Sequence, residues 1–429
     1  MLAVNDLRLS SLSRGGQGQG FWPEFDEVYD FAGVGSGGVP YFRLPGGGVV
    51  PDLRAVPDTT FTRATTAIVA DADGTLREVA SGEPAIGRGR GMEFLPSIQN
   101  KSIGPNAVLP ALIAATDATT FSAAASGVTA TDLGSGALFS CVDDSPVIAQ
   151  AGGKLARLHA AGKINARVLR INNTANAGFA YIQATGPAGN TNVHAVAAFV
   201  RGSGGYELRI AGSPVVSGAL PVAYEYRGGN LAAPATGSTL RVYAAPGADL
   251  YVILWTYAEV PYLPPPIITN GAAATRNADD HVKTGFVPNL DGMTFYFEGT
   301  FEARLENSYA FEVSNGGAGE RFLIQSNTSD IIRLTIISAA GGTDFVAGPT
   351  LLTNAKLKAA ARWNGSIWDL FTNGVKYTNA GADTVPAGIN QFNLGQRLNG
   401  AEKQKGPMAV FARADRALTD AELLALTTL

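Results

Sequence analysis

The sequence predicts an all-β protein: two antiparallel, jelly-roll-like β-sandwiches behind an extended N-terminal arm, with a single C-terminal helix. Three observations carry this. Glycine is abundant, 52 of 429 residues, against a usual share of ~7%, as suits many tight turns. Hydrophobic residues make up 46% and charged residues 16%, which is too apolar for disorder. Between the turns, apolar residues alternate or run in short blocks, the periodicity of strands. The length suits roughly two or three domains.

The net charge of −4 leaves no electrostatic footprint for nucleic acid or an anionic membrane. The opening MLAVNDLRLSSLSR lacks the apolar core of a secretory signal, and no later apolar run reaches about 18 residues, so no membrane insertion is expected. Cys141 is the single cysteine, which excludes an intramolecular disulfide and fits folding in a cytoplasm.

Residues 1–57 read as a Gly-rich arm, with SRGGQGQG, GVGSGGVP and LPGGGVVP around FWPEFDEVYDF. Glycine's backbone entropy opposes ordering, so the arm is expected to order on a partner, with Trp22, Phe25, Tyr29 and Phe31 as assembly anchors. Tyr41 and Phe42 add to the apolar area needing cover, and arm exchange between identical subunits would provide it. Residues 58–100 read as a connector with a β-hairpin, strands near Ile68 and TLREVAS flanking the turn DADG. Thr75 and Gly82 stand where a calcium loop needs ligands, so DADG reads as a turn.

Residues 101–262 read as the first sandwich. VHAVAAFVRGSGGYELRIAG gives two strands around GSGG, and TLRVYAAPGADLYVILWTYAEV two more around APGAD. LYVILWTY is apolar on both faces, the mark of a central strand. His159 and His194 are placed on strands without ligand partners. Residues 267–429 read as a second sandwich: MTFYFEGTFEARL, RFLIQS, IIRLTIIS, ARWNGSIWDLFTNGVKYT, FNLGQRL and MAVFARA supply strands. LTDAELLALTTL supplies a helix capped by Thr419 or Asp420, expected to close an edge or end. Between the modules, 263–276, LPPPIITNGAAATR, reads as a semi-rigid joint, because proline cannot join a ladder and prefers an extended form.

Three stretches carry a resemblance. ILWTYAEVPYLPPPIITNGAAATRNADD resembles a junction of tailed-bacteriophage virion proteins, in which a strand with (Q/E)xE leads through tSYIPT to gaavTRaaD. Glu259, Tyr262, Thr275, Arg276, Ala278 and Asp279 match; the Gln and the Ser-Tyr are missing. FTRATTAIVADADGTLREVASGEPAI is similar to another opening of the same proteins. MAVFARADRALTDAELLAL, with ARWNGSIWDLFTNGV, resembles the close of a concanavalin A-like (laminin-G-like) sandwich. The resemblance implies a virion structural protein made in the host cytoplasm: a tail fibre, tail spike or head fibre. It implies a homotrimer whose N-terminal part binds other virion proteins while its sandwiches contact host surface glycans. It leaves open a head-decoration protein without ligand and a polysaccharide-degrading tail spike. The heptads or β-helix repeats of a fibre shaft are missing.

For chemistry, the E-x-D-x-x-E pattern of glycan-hydrolysing sandwiches is absent. Glu298, Glu302 and Glu306 share a strand face, but successive ones stand about 13 Å apart at ~3.3 Å per residue, too far for a carboxyl pair. They read as a solvated face, and no enzyme activity is expected. Trp363 and Trp368, with Asn364, Asn373 and Asn379 near the same turns, are candidate glycan-binding residues, since sugars stack on exposed rings. No metal or organic cofactor is expected; calcium is admitted only through the laminin-G-like resemblance.

Overall fold

The strands of the C-terminal half are completed by the beginning of the chain. This is seen in a computed structural model that describes residues 22–34, 36–37, 39–94, 97–100, 122–123, 128–164, 167–185, 192–210, 212–232, 239–260, 262–268, 274–301, 307–352, 355–398, 403–404 and 406–429. Among the described residues the protein is all-β, with antiparallel sheets stacked as sandwiches and three short α-helices.

The first sandwich lies within 122–258. Its six-stranded sheet runs Ser122–Ala123, Val128–Asp132, Ala180–Thr185, Thr239–Ala244, Gly205–Ile210, Ser213–Ala219. Its five-stranded sheet runs Leu138–Asp143, Arg167–Asn172, Asp249–Ala258, Val193–Ser203, Glu225–Ala232. Val196, Val200, Leu208, Leu240, Val242, Leu250 and Trp255 fill the space between them. The apolar run at 249–258 is the central strand of its sheet, so both its faces are covered. GSGG and APGAD do not close hairpins within one sheet; each carries the chain from one sheet to the other. The two crossings abut: a Cβ on Gly204 (φ +85°) would stand 2.7 Å from the Ala248 backbone. Only glycine fits there.

The second sandwich opposes a ten-stranded to a seven-stranded sheet. The first runs Val49–Val50, Tyr41–Arg43, Glu27–Asp30, Pro407–Ala414, Met293–Phe301, Ala355–Trp363, Trp368–Thr372, Val375–Thr378, with Ile86–Gly87 and Gly91–Glu93 attached beside Pro407–Ala414. The second runs Gly342–Thr350, Ile331–Ser338, Arg321–Ser326, Ser308–Ser314, Gln391–Leu394, Asp280–Lys283, Thr59–Thr62. Their shared core is aromatic: Phe295, Phe311, Phe322, Trp368, Phe392 and Phe411.

This corrects the reading of residues 1–57 as a separate arm, as far as they are described. Glu27–Asp30 pairs with Val410–Arg413, Tyr29 opposite Phe411. Tyr29, Phe31 and Phe42 are buried in the aromatic core. Trp22 and Phe25 lie on the outer side of the ten-stranded sheet against Tyr296, beside Leu423 of the C-terminal helix. The proposed anchors are therefore covered by their own chain. Burying each such ring stabilises by roughly 1.5–3 kcal/mol, which offsets part of the cost of ordering this stretch. Residues 1–21 lie outside the described residues.

Two further expectations change. The C-terminal helix Asp420–Thr427, capped by Thr419 in a capping box with Glu422, covers a sheet face rather than an edge. It is also not the single helix: Ser145–Ile148 and Ala156–Ala160 sit beside the first sandwich, and His159 is on the latter rather than on a strand.

The connector touches both modules. Its hairpin, Ala67–Ala70 with Leu76–Val79, packs Ile68 and Leu76 against Leu155 and Leu158 of the first sandwich. Ile98–Asn100 pairs with Ala274–Arg276 at the end of the proline joint, and Thr59–Thr62 pairs with Asp280–Lys283. The two TR segments thus meet. Asp279 takes Arg63 on one carboxylate oxygen (2.9 Å) and Arg276 on the other, all three buried. The Asn277 N–H donates to Thr65 Oγ1 at 2.7 Å.

Candidate functional site

The residues singled out from the sequence do not form a sugar platform. Trp363 and Trp368 are cross-strand partners with ring centres 5.7 Å apart. They are 6% and 0% exposed. The Trp363 indole N–H donates to the Leu290 carbonyl (2.7 Å) and that of Trp368 to the Thr384 carbonyl (2.9 Å). A covered ring with its one donor satisfied has no face for a ligand, so both are core residues. Asn364 Oδ1 closes the NGS turn, accepting from the N–H groups of Ser366 (3.1 Å) and Ile367 (3.0 Å). Asn373 sits at φ 47° in the TNG turn and accepts from the Lys358 N–H at 3.0 Å. Asn379 donates to the Phe345 carbonyl at 2.8 Å. These amides shape turns.

Glu298 is buried rather than solvated, and accepts from the Tyr296 hydroxyl at 3.1 Å. Burial raises its carboxyl above the ordinary range, against the opposing pull of Lys358. Glu302 and Glu306 lie outside the described residues. Among the described residues no three His, Cys, Asp or Glu side chains gather as metal ligands.

A different surface gathers chemistry: the outer face of the seven-stranded sheet. In Arg321–Ser326 and Ile331–Ser338 every second residue points into the core, Phe322, Ile324, Ile332, Leu334 and Ile336 among them. The alternation sends Arg321, Leu323, Gln325, Arg333 and Thr335 to the other side. Register then aligns Asn393, Glu312, Leu323, Thr335 and Phe345 as one row across five strands. Along that row exposure rises from 0% at Glu312 to 40% at Phe345, so a deep polar floor meets an aromatic rim.

The floor is charged and incompletely satisfied. Arg321 lies 3.5 Å from Glu312, both buried, and Glu312 also accepts from the Leu398 N–H at 3.2 Å. Among the described residues Arg321 Nε and Asn393 Oδ1 have no hydrogen-bond partner, and Arg321 Nη1 meets Glu312 only at 3.5 Å. Towards the rim, Gln325 is best satisfied with its nitrogen donating to Tyr309 (3.0 Å). Its oxygen then accepts from Thr335 (3.2 Å) and from Arg333 Nε and Nη2 (2.6 Å each). The Arg333 guanidinium lies 4.6 Å from the Phe345 ring centre, and burial lowers its pKa from the ordinary value. Planar donors and acceptors beside an accessible ring are what a saccharide needs, its hydroxyls bonded at the floor and a C–H face against the rim. The sequence carried the signal in the alternation of RFLIQS and IIRLTIIS. Those strings show Arg321, Gln325, Arg333 and Thr335 between core residues but not that the residues line up across strands.

No family model and no curated protein matches this chain. Among solved structures, the chain is weakly similar to the CBM40 module of a Ruminococcus gnavus sialidase bound to α2,3-sialyllactose. The identity is 16%, over 32% of this chain and 83% of that one, with a TM-score of 0.29. A second similarity is to the NanB sialidase of Streptococcus pneumoniae, at 18% identity, 32% of this chain, 24% of that one and TM-score 0.28. A third is to a SAP-like pentraxin of Limulus polyphemus, at 14%, 35%, 76% and 0.29. Resemblances this slight transfer no ligand to this chain.

Proposed function

We propose that this chain is a non-catalytic structural protein of a tailed-phage or phage-like particle, forming an appendage whose C-terminal sandwich holds a host-surface saccharide. The carrying observation is the outer face of the seven-stranded sheet, where the Arg333 guanidinium, bonded to Gln325, lies 4.6 Å from the half-exposed Phe345 ring. The TR segments that match virion proteins support the setting, as they lock the second sandwich to its connector through Asp279. The reading includes no cofactor, a homotrimer and a virion location. Attachment can no longer rest on Trp22, Phe25, Tyr29 and Phe31.

The test is binding of the full chain to a panel of neutral and acidic oligosaccharides, repeated with Phe345→Ala and Arg333→Ala. Saturable binding that weakens about tenfold or more in either variant supports the reading. Absence of any bound saccharide favours the decoration protein without ligand, and cleavage of a bound one favours the degrading spike. Multi-angle light scattering of the full chain tests the trimer.

A further inference from the structure

The first sandwich carries a second surface, of different chemistry and independent of the proposal above. On the outer side of its six-stranded sheet, Tyr181 and Tyr243 stand opposite each other on adjacent strands, ring centres 4.6 Å apart. One residue pair further along, Arg209 and Arg241 stand directly opposite each other. The Arg209 guanidinium lies 4.3 Å from the Tyr243 ring centre and that of Arg241 lies 5.1 Å from Tyr181. Arg209 Nε donates to Glu207 at 2.6 Å. Among the described residues Arg241 meets no carboxylate: its Nε donates to the neutral Gln183 oxygen (2.9 Å) and its Nη1 to the Tyr243 hydroxyl (3.3 Å).

Like charges directly across an antiparallel pair destabilise a sheet. Here only Arg209 has a carboxylate partner, Glu207, and stacking on tyrosine fixes both guanidiniums in place. The face therefore keeps one uncompensated positive charge on a chain whose net charge is −4. Neither hydrogen bond of Arg241 uses Nη2, and the residue is half-buried rather than sealed. A planar donor pair of this kind matches a carboxylate or sulfate, and the neighbouring Tyr181 ring matches a sugar's C–H face. We infer that this face binds an acidic saccharide, its anionic group on Arg241 and Arg209 and its ring on Tyr181. Charge complementarity selects the ligand class, and the absence of a long basic stripe argues against a nucleic-acid strand.

The test uses the full chain with three probes, polygalacturonate, dextran sulfate and uncharged dextran, and double-stranded DNA as a fourth. Binding to the carboxylated or the sulfated polymer, with dextran and DNA at least about tenfold weaker, supports the inference; which of the two binds identifies the anionic group. Arg241→Gln and Tyr181→Ala should each weaken that binding about tenfold. Arg241→Gln also relieves the cross-strand repulsion, so its unliganded thermal midpoint should equal or exceed that of the parent chain. Equal affinity for DNA, no saturable binding to either acidic polymer, or parental affinity in Arg241→Gln would each overturn it. A lowered midpoint in Arg241→Gln would do the same, because it would make the arginine a structural residue.

Discussion

The two sandwiches share a fold class but draw their strands from very different spans of chain. The first takes its core from residues between Ala130 and Tyr257, much of it alanine and valine. The second takes its core from Tyr29 to Phe411, much of it phenylalanine. Its adjacent strands Glu27–Asp30 and Pro407–Ala414 are tied by an ion pair between Glu27 and Arg413 at 3.2 Å, 386 positions apart. A contiguous module can close on local contacts, whereas one that spans the chain waits for both ends. The first should then behave as a separable unit. The second should fail whenever either end of the chain is lost.

The largest expected effect follows directly. Deleting residues 1–57 removes strands from the ten-stranded sheet and strips Tyr29, Phe31 and Phe42 from the core. Calorimetry should then lose the transition of the second sandwich and keep that of the first. Phe31→Ala alone should cost about 3–5 kcal/mol in the same transition, as a fully buried aromatic. If both transitions survive the deletion intact, the difference between the modules is not one of chain span.

The same contrast explains what could be read from sequence. Strands such as TLRVYA and DLYVILWTYA announce themselves by local alternation or apolar runs, and their partners lie nearby. The string EVYD shows nothing of its pairing with Val410–Arg413, since glycines surround it and the partner is at the other end. Exposed tyrosine and tryptophan cannot be told from buried ones by composition, which is why Trp363 and Trp368 read as ligand residues and are core. The Arg209–Arg241 pair was invisible for a related reason. Each arginine looks like an ordinary outward residue until register sets the two side by side.

A smaller effect tests how the second module is held to its connector. Asp279 is fully buried between Arg63 and Arg276. Asp279→Asn leaves two buried guanidiniums without a counter-charge and should cost about 3–5 kcal/mol. The loss should appear in the second transition only, followed by urea unfolding monitored separately for each module. Loss in both transitions would mean that the TR junction stabilises the pair as one cooperative unit.

Acid should separate the modules further. His281 is buried against Phe392 and accepts from the Leu394 N–H at 3.4 Å; burial lowers its pKa from 6.5 to about 3. The folded ring therefore stays neutral where the unfolded one takes a proton. Below pH 6.5 the unfolded state binds more protons, so stability is full above 6.5 and declines as pH falls towards 3. At pH 5 the loss is about 2 kcal/mol, at 1.36 kcal/mol per unit. His281→Gln keeps an acceptor for Leu394 and should flatten that part of the pH profile of the second transition. An unchanged slope would assign the acid sensitivity to carboxylates instead.

The smallest effect concerns the helix that covers Trp22 and Phe25. Thr419 Oγ1 accepts from the Glu422 N–H at 3.2 Å, and Glu422 accepts from the Thr419 N–H at 2.6 Å. Thr419→Ala deletes one of these bonds and should cost about 1 kcal/mol. Bonding to Arg416 and to the Thr419 backbone brings the Glu422 carboxyl down to about 2. Its stabilisation is thus full above pH 4.5 and is lost as pH falls through 2. The side chain is largely solvated, so water screens most of that contribution. Helix and N-terminal residues share one cluster, in which Leu423 packs with Trp22 and Phe25. Combining Thr419→Ala with Trp22→Ala should therefore give a loss that departs from the sum of the two single losses by at least about 0.5 kcal/mol. Strict additivity would mean that the two ends of the chain merely sit side by side on the sheet, and that the spanning module is less cooperative than its shared core implies.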